Sequence, residues 1–450
     1  MNFREVLKPK PNLPKVFSTF GKLNNQSTSR KLNELSGSFK TKTKINMKIP
    51  KLRFKEFTEQ WETKMLGEIF VRITRKNKEN NTNVLTFSAH QGLINQRDYY
   101  TKNIASKDTS HYYLLHKGDF AYNKGWCEGY PIGAIKRLKY YEKGVLSTLY
   151  ICFTLKNKQE NSEEFFEHFF ESRKIDAYLY EIVTEGARNH GLLNVGINDF
   201  FEKLKISFPS LAEQTKIGVL LSSVDDKIQA LTQKKKLLEQ YKKGVMQQLF
   251  SQEIRFKDEN NQEFEDWTEK TLGEIGEIIG GGTPDSGNKN LWEGQIQWFT
   301  PTEIKSKFLV NSKRTINEEG LKKSSAKILP IGAILLTTRA TIGDVGIATK
   351  ECCTNQGFQS FVVNGKNFNE FLYYWLIFNK RMLIENASGS TFLEINKTTI
   401  KKLPISLPCL AEQTQIASFL SSLDEKIRLV GVQLTGTKDY KKGLLQEMFI

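Results

Sequence analysis

One segment of eighteen residues occurs twice in this chain of 450 residues and restricts the folds that the chain can adopt. LAEQTKIGVLLSSVDDKI begins at Leu211, and LAEQTQIASFLSSLDEKI begins 199 positions later at Leu410. The match extends outward, because YKKGVMQQLF from Tyr241 corresponds to YKKGLLQEMF from Tyr440 at the same spacing. Two copies are too few for a stacked array of short repeats, so the pattern indicates duplication of a whole domain.

Each half of the chain also opens with a related segment. RFKEFTEQWETKMLGEI starts at Arg53, and RFKDENNQEFEDWTEKTLGEI starts at Arg255. The residues between each opening and its LAEQT segment differ strongly between the two halves. Similar openings and closings around dissimilar bodies predict two domains that share a frame and present different side chains.

The repeated closing segments are predicted to be long helices. Pro209 precedes the first copy, and Ser210 followed by Glu213 forms a capping-box pattern; the second copy has Pro408 but lacks the box. Apolar residues then recur at alternating spacings of three and four, as in a coiled-coil seam. The stripe residues are Leu221, Val224, Ile228, Leu231 and Leu238 in the first copy, and Leu420, Leu423, Ile427, Val430 and Leu434 in the second.

A narrow apolar stripe on a polar helix requires a partner. One alternative is that each helix packs only on its own domain, but a helix of about 40 residues is roughly 60 Å long, more than a small domain covers. We therefore expect the two copies to pair and to form the interface between the halves. Lys235, Lys242, Thr437 and Lys441 interrupt the stripe, and we expect them to fix its register or to face another subunit.

Composition limits the class of protein. The net charge of +16 favours a polyanionic partner. Residues 1–48 contain eleven Lys or Arg and two Glu, so residues 1–46 are predicted to be a disordered basic tail or an over-long start. No apolar run approaches the ~20 residues of a membrane helix. The five cysteines form no CxxC pair, which favours a cytoplasmic protein without structural zinc or another metal.

Gly-rich loops in both domain bodies carry side chains that suit DNA contact. Arg and Lys bind guanine edges, and Asn and Gln bind adenine edges; ordinary surface loops are the alternative reading of the same segments. Phosphate contacts are expected from Lys124 and Lys289. The candidate DNA-binding residues are Lys124, Arg188, Asn189 and His190 in the first domain, and Thr283, Lys289, Arg339, Thr341 and Gln356 in the second.

Two other functions fit parts of the sequence. Asp285, Glu303 and Lys305 form a PD…ExK pattern that could hold Mg²⁺ in a stand-alone nuclease, although the aspartate lies in a Gly/Pro-rich loop. A coiled-coil scaffold without DNA contact is the second alternative. The chain has no NPP[YF] or DPPY segment, so we do not expect it to be a methyltransferase.

The paired LAEQT helices, the LGEI openings and the GGTP…W…TP segment from Gly281 together resemble the specificity subunit of type I restriction-modification systems. The resemblance covers about residues 48–450, although GGTP has no counterpart after LGEI in the first domain. It implies two target-recognition domains that bind the two halves of an asymmetric, split site in double-stranded DNA. It also implies two antiparallel helical regions that set the separation of these domains.

The same resemblance implies partners that carry the chemistry. Modification (adenine methyltransferase) subunits and restriction (translocase–nuclease) subunits would use S-adenosylmethionine, ATP and Mg²⁺. The chain itself is expected to be non-catalytic and to bind no cofactor.

The predicted fold class is α+β. Two mixed α/β recognition domains are expected on either side of a pair of long antiparallel coiled-coil-like helices, with an internal pseudo-two-fold duplication. The predicted segments after the tail are domain 1 (47–209), the first helical region (210–250), domain 2 (251–408) and the second helical region (409–450).

Overall fold

A computed structural model describes residues 49–100, 108–125, 129–184, 193–389 and 393–450. The tail predicted for residues 1–46 lies outside these ranges. Among the helices that the structure describes, none combines the length and the hydropathy needed to cross a membrane.

Domain 1 consists of short strands and short helices. Its strands are β1 (Glu62–Met65), β2 (Phe70–Arg72), β3 (Leu85–Ser88), β4 (Gly92–Asn95), β5 (Tyr113–His116), β6 (Phe120–Asn123), β7 (Ala134–Arg137), β8 (Lys143–Leu146), β9 (Ile151–Leu155), β10 (Val183–Thr184), β11 (Asn194–Val195) and β12 (Lys205–Phe208). Its helices are α1 (Leu66–Ile69), α2 (Gln96–Tyr99), α3 (Glu163–Glu171), α4 (Asp176–Ile182) and α5 (Ile197–Glu202). The long helix α6 (Leu211–Phe250) follows.

Domain 2 has the same kind of composition and also ends in a long helix. Its strands are β13 (Thr268–Thr271), β14 (Gly276–Gly280), β15 (Trp292–Phe299), β16 (Phe308–Leu309), β17 (Arg314–Ile316), β18 (Ile334–Leu336), β19 (Val345–Ala348), β20 (Cys352–Thr354), β21 (Gln359–Val363) and β22 (Pro404–Leu407). Its helices are α7 (Glu318–Lys322), α8 (Asn369–Phe378), α9 (Lys380–Glu385) and α10 (Lys397–Lys402), and the second long helix is α11 (Leu410–Glu447).

The two domains share a common sheet topology. In domain 1 the strand order is β2-β9-β6-β7, and in domain 2 the order β14-β21-β18-β19 repeats it, with β16 added at the edge. Each domain is closed by an antiparallel ribbon, β1 with β12 and β13 with β22, directly before its long helix. A separate sheet, β17-β15-β20, occurs in domain 2. The duplication inferred from the repeated segments therefore extends through the dissimilar bodies, and the expected α+β class is confirmed.

The predicted stripe faces inward along both long helices. All of its residues are buried or half-buried, as expected for an apolar stripe that faces a partner helix. Leu221, Val224, Leu231, Leu420, Leu423 and Val430 are buried, whereas Ile228, Leu238, Ile427 and Leu434 are half-buried.

The two long helices pack against each other in antiparallel orientation. The last turn of α11 contributes Leu444 to the core of domain 1, and Met448 and Phe449 directly after the helix join it there, beside residues from the start of α6. The last turns of α6 contribute Met246 and Leu249 to the core of domain 2, beside the start of α11. Each domain is thus built on the beginning of one helix and the end of the other.

Two polar residues of the stripe form equivalent ion pairs across the helices. Lys242 of α6 contacts Asp424 of α11 at 2.5 Å, and Lys441 of α11 contacts Asp225 of α6 at 2.7 Å. These two pairs are related by the same 199-residue offset as the repeat, and both are partly buried. They set the register of the antiparallel pair, which is one of the two roles expected from the sequence.

The pair at domain 1 extends into a buried network. Lys441 also contacts Glu171 of α3 at 2.5 Å, and the ring of buried His168 lies 3.3 Å from the same carboxylate. Burial alone would raise the pKa of Glu171, but His168 and Lys441 outweigh burial and lower that pKa to about 2. Burial would likewise lower the pKa of Lys441, yet Glu171 and Asp225 hold it above its usual value. The helix end is therefore tied to domain 1 by charges that stay ionised at neutral pH.

The capping box predicted at Ser210 is wrong. The Ser210 side chain makes no cap hydrogen bond, and Glu213 is 1% exposed and accepts from Nε and Nη2 of Arg53 at 2.8 and 2.7 Å. In the second copy Glu412 is fully buried and accepts from Arg255 in the same way. The glutamate of each LAEQT segment thus fastens the RF opening of its own half to the start of the long helix, a contact that outcompetes the local cap.

The glutamine of each LAEQT segment joins its helix to the domain body. Gln214 accepts from the backbone N–H of Ser162 at 2.9 Å and donates to the carbonyl of Pro209 at 2.9 Å. Gln413 accepts from the N–H of Phe368 and donates to Pro408 at the same distances. These contacts explain in physical terms why the segment recurs almost unchanged, because it forms the joint between helix and domain in both halves.

Replacing Glu412 should show how much the joint between the helix and its domain contributes to the free energy of unfolding. Glu412→Ala leaves the Arg255 guanidinium and the Nε1–H of Trp267 without their carboxylate, and we expect a loss of about 3 kcal/mol in the free energy of unfolding. Chemical denaturation measures this loss. Glu425→Ala on the same helix removes an exposed partner of Arg428 and is the matched control, with unchanged stability expected. Equal losses in both variants would contradict the structural role of Glu412.

Candidate nucleic-acid interface

Three loops of domain 2 emerge at one end of its sheet. Loop A (281–285) follows β14, loop B (337–343) follows β18, and loop C (355–358) connects β20 to β21. Both β14 and β18 run antiparallel to β21, with Gly280 opposite Gln359 and Ile334 opposite Phe361. The end of β14, the end of β18 and the start of β21 therefore share one edge, and the three loops lie side by side.

Backbone hydrogen bonds hold the loops together. The N–H of Gly282 in loop A donates to the carbonyl of Thr354 at 2.8 Å, and the N–H of Thr338 in loop B donates to Gly357 in loop C at 2.8 Å. A Cβ on Gly281 would lie 2.0 Å from the carbonyl oxygen of Asn355, so glycine is required there for this approach. The loops form one surface with a fixed backbone.

Two tryptophans support loop A from inside domain 2. Trp298 donates from Nε1 to the carbonyl of Gly282 at 2.9 Å, and Trp292 donates to the carbonyl of Asp285 at 3.0 Å. The rings meet edge to face at 5.0 Å, and the guanidinium of Arg314 stacks 3.3 Å above Trp292. Sequence reasoning did not assign these residues a function, although the pairing of two tryptophans near a Gly-rich loop was a visible signal.

The predicted side chains on these loops point outward. Thr283 of loop A donates to the side-chain oxygen of Gln356 of loop C, and both residues are exposed. Arg339 and Thr341 are exposed on loop B, and Arg339 forms an ion pair with Glu394 at 2.8 Å. The structure therefore brings Thr283, Arg339, Thr341 and Gln356 to one surface. Lys289 is exposed on the 3-10 turn (Lys289–Leu291) that follows loop A.

Domain 1 has a corresponding edge with different residues. The end of β6 and the start of β9 are adjacent, since Tyr122 pairs with Ile151. Lys124 follows β6, is half-buried, and accepts a hydrogen bond at its carbonyl from the N–H of Leu193. The predicted residues Arg188, Asn189 and His190 lie outside the described residues.

The nuclease pattern does not assemble into a metal site. Both carboxylate oxygens of Glu303 accept hydrogen bonds within domain 2, Oε2 from Thr300 and Oε1 from the N–H of Lys313. Asp285 accepts from the N–H of Gly287. Among the described residues, the grouping with metal-ligand spacing is His168, Glu171 and Asp225, and Lys441 already supplies its cation. The PD…ExK interpretation is not supported, because its glutamate is used as a local cap.

Comparison with known proteins agrees with this arrangement. Residues 58–240 and 264–435 match the profile of the type I restriction modification DNA specificity domain, so the chain contains that domain twice. The chain belongs to this family. Its members are specificity subunits, which recognise DNA sequence and are not catalytic, so the expected family, function class and lack of catalysis are confirmed.

Individual relatives share the name specificity subunit. The type I restriction enzyme MjaIX specificity subunit of Methanocaldococcus jannaschii is 39% identical over 168 residues, which cover 36% of this chain and 39% of that protein. The putative MjaX specificity subunit of the same organism is 26% identical over 421 residues, which cover 87% of this chain and 93% of that protein.

Solved structures show a similar fold. The S subunit of a type I restriction-modification system from M. genitalium has a TM-score of 0.54 at 16% identity, with 89% of this chain and 99% of that chain covered. A chain from a structure of complex assembly in a type I system has a TM-score of 0.52 at 19% identity, with 86% and 97% covered. Both support two domains joined by long helices.

Proposed function

We propose that this chain binds a split, asymmetric site in double-stranded DNA, with one half contacted by each domain. The observation that carries the proposal is the pair of equivalent loop edges, one on each domain, tied through the LAEQT joints to a rigid antiparallel helix pair. The loops differ in sequence between the domains, so the two half-sites should also differ. The net charge of +16 favours DNA as the partner.

Residue roles follow from chemistry and exposure. Thr283, Arg339, Thr341 and Gln356 carry the donors and acceptors that bind base edges in the major groove. Lys289 offers a compact positive charge suited to a phosphate, and Lys124 is its candidate counterpart in domain 1. Arg188, Asn189 and His190 remain candidates by sequence alone.

The chain is proposed to act with partners in the cytoplasm. Modification subunits using S-adenosylmethionine would methylate adenine in the bound site, and restriction subunits using ATP and Mg²⁺ would cleave DNA that lacks the modification. The long helices offer exposed faces for docking, with Tyr241 and Tyr440 in equivalent places. In this proposal the chain provides the DNA sequence specificity, and the partners carry out the catalysis.

A map of N6-methyladenine across the genome tests the proposal. Cells with the intact chain should show one split motif with two different half-sites, and deletion of the chain should remove that motif alone. A motif that persists after deletion would contradict the proposal.

The phosphate role of Lys289 has its own test. Lys289→Ala should weaken binding by a similar factor on all duplexes and reduce the slope of log affinity against log salt by about 1. Lys366→Ala is the matched control, because Lys366 follows the opposite end of β21 from the loops. The measurement is the DNA affinity of the two variants over a range of salt concentrations. A change in base preference for Lys289→Ala would contradict a phosphate contact.

A further inference from the structure

Arg339, at the tip of loop B, is held to Glu394 by both an ion pair and a backbone bridge. The two residues face each other as an antiparallel bridge, so backbone as well as side chain joins them. Ala340 has a φ of 60°, and the N–H of Thr341 donates to the carbonyl of Arg339 at 2.7 Å, which turns the chain sharply after the arginine. The Arg339 side chain stays 47% exposed despite these constraints.

The carboxylate changes what this arginine can bind. Glu394 offsets the charge of the guanidinium, so Arg339 offers little net attraction to a phosphate, for which an unpaired lysine serves better. A base edge instead requires donors at a fixed angle, and a carboxylate at Nε restricts rotation of the guanidinium. Among the described residues, Glu394 is the ionic partner of Arg339, and its contact is at Nε, on the side of the guanidinium rather than at the end that carries both Nη groups.

We propose that Glu394 is a positioning residue, which holds Arg339 so that its Nη groups donate to O6 and N7 of one guanine in the half-site of domain 2. The proposal rests on the function proposed above and adds the base and the residue that orients its reader. Guanine is favoured because its major-groove edge carries two adjacent acceptors, which match paired guanidinium donors. Backbone hydrogen bonds hold loop B beside loops A and C, so the orientation of the Arg339 side chain relative to the DNA groove is restricted.

The test uses the full chain in complex with its modification subunits. Duplexes carry the mapped motif, with each position of the domain 2 half-site replaced in turn, and binding is measured by competition. The intact complex should discriminate against replacement of one guanine by about 10-fold to 100-fold. Arg339→Ala should abolish discrimination at that position alone, and Glu394→Gln should reduce it at the same position.

Control variants separate positioning from folding. Glu385→Gln in domain 2 breaks an exposed pair with Arg381 at 2.6 Å and should leave the base preferences unchanged. Thermal unfolding and complex assembly of each variant report whether the fold survives, and Arg339→Lys should keep the charge but lose the preference. Unaltered base preference in a folded Glu394→Gln complex, or uniform weakening by Arg339→Ala, would overturn the inference while leaving DNA recognition intact. An intact complex without any sequence preference would overturn the proposed function itself.

Discussion

Each recognition domain buries its core against the start of one long helix and the end of the other. Met448 and Phe449, directly after α11, enter the core of domain 1, and Met246 and Leu249 from α6 enter the core of domain 2. Neither domain core is complete without the antiparallel packing of α6 and α11. The hydrophobic seam therefore stabilises the domains and also fixes the distance between the loop edges of the two domains.

Polar contacts make this packing specific. Hydrophobic stripes alone allow several registers, whereas the ion pairs Lys242–Asp424 and Lys441–Asp225 are satisfied together in one register. The joints formed by Glu213 and Gln214, and by Glu412 and Gln413, then fix each domain on its helix. A stiff frame of this kind allows the loops to diverge, because their sequence is not needed to hold the domains in place.

Much of the frame could be predicted from the sequence, since duplication and a three-four spacing have few structural solutions. Local sequence patterns predicted less where a side chain can form either a local or a tertiary contact. Glu213 fits a capping box, but a partner 160 residues away, Arg53, binds it instead, and no local pattern reveals such a contact. The supporting role of Trp292 and Trp298, and the pairing of Arg339 with Glu394, likewise depend on tertiary approach. Residue identities on the loops were visible from the sequence, whereas their grouping into one surface required the sheet topology.

If the helix pair sets the separation of the two half-sites, lengthening both helices should lengthen the spacer between them. Duplicating residues 227–233 in α6 and 426–432 in α11 inserts one heptad at equivalent places in the two helices and keeps the seam in phase. Seven residues add about 10 Å at 1.5 Å per residue, which corresponds to at most about three base pairs at 3.4 Å each. We expect a methylation map with both half-sites unchanged and a longer spacer between them. An unchanged spacer in an assembled, active complex would show that the helix pair does not set the separation of the half-sites.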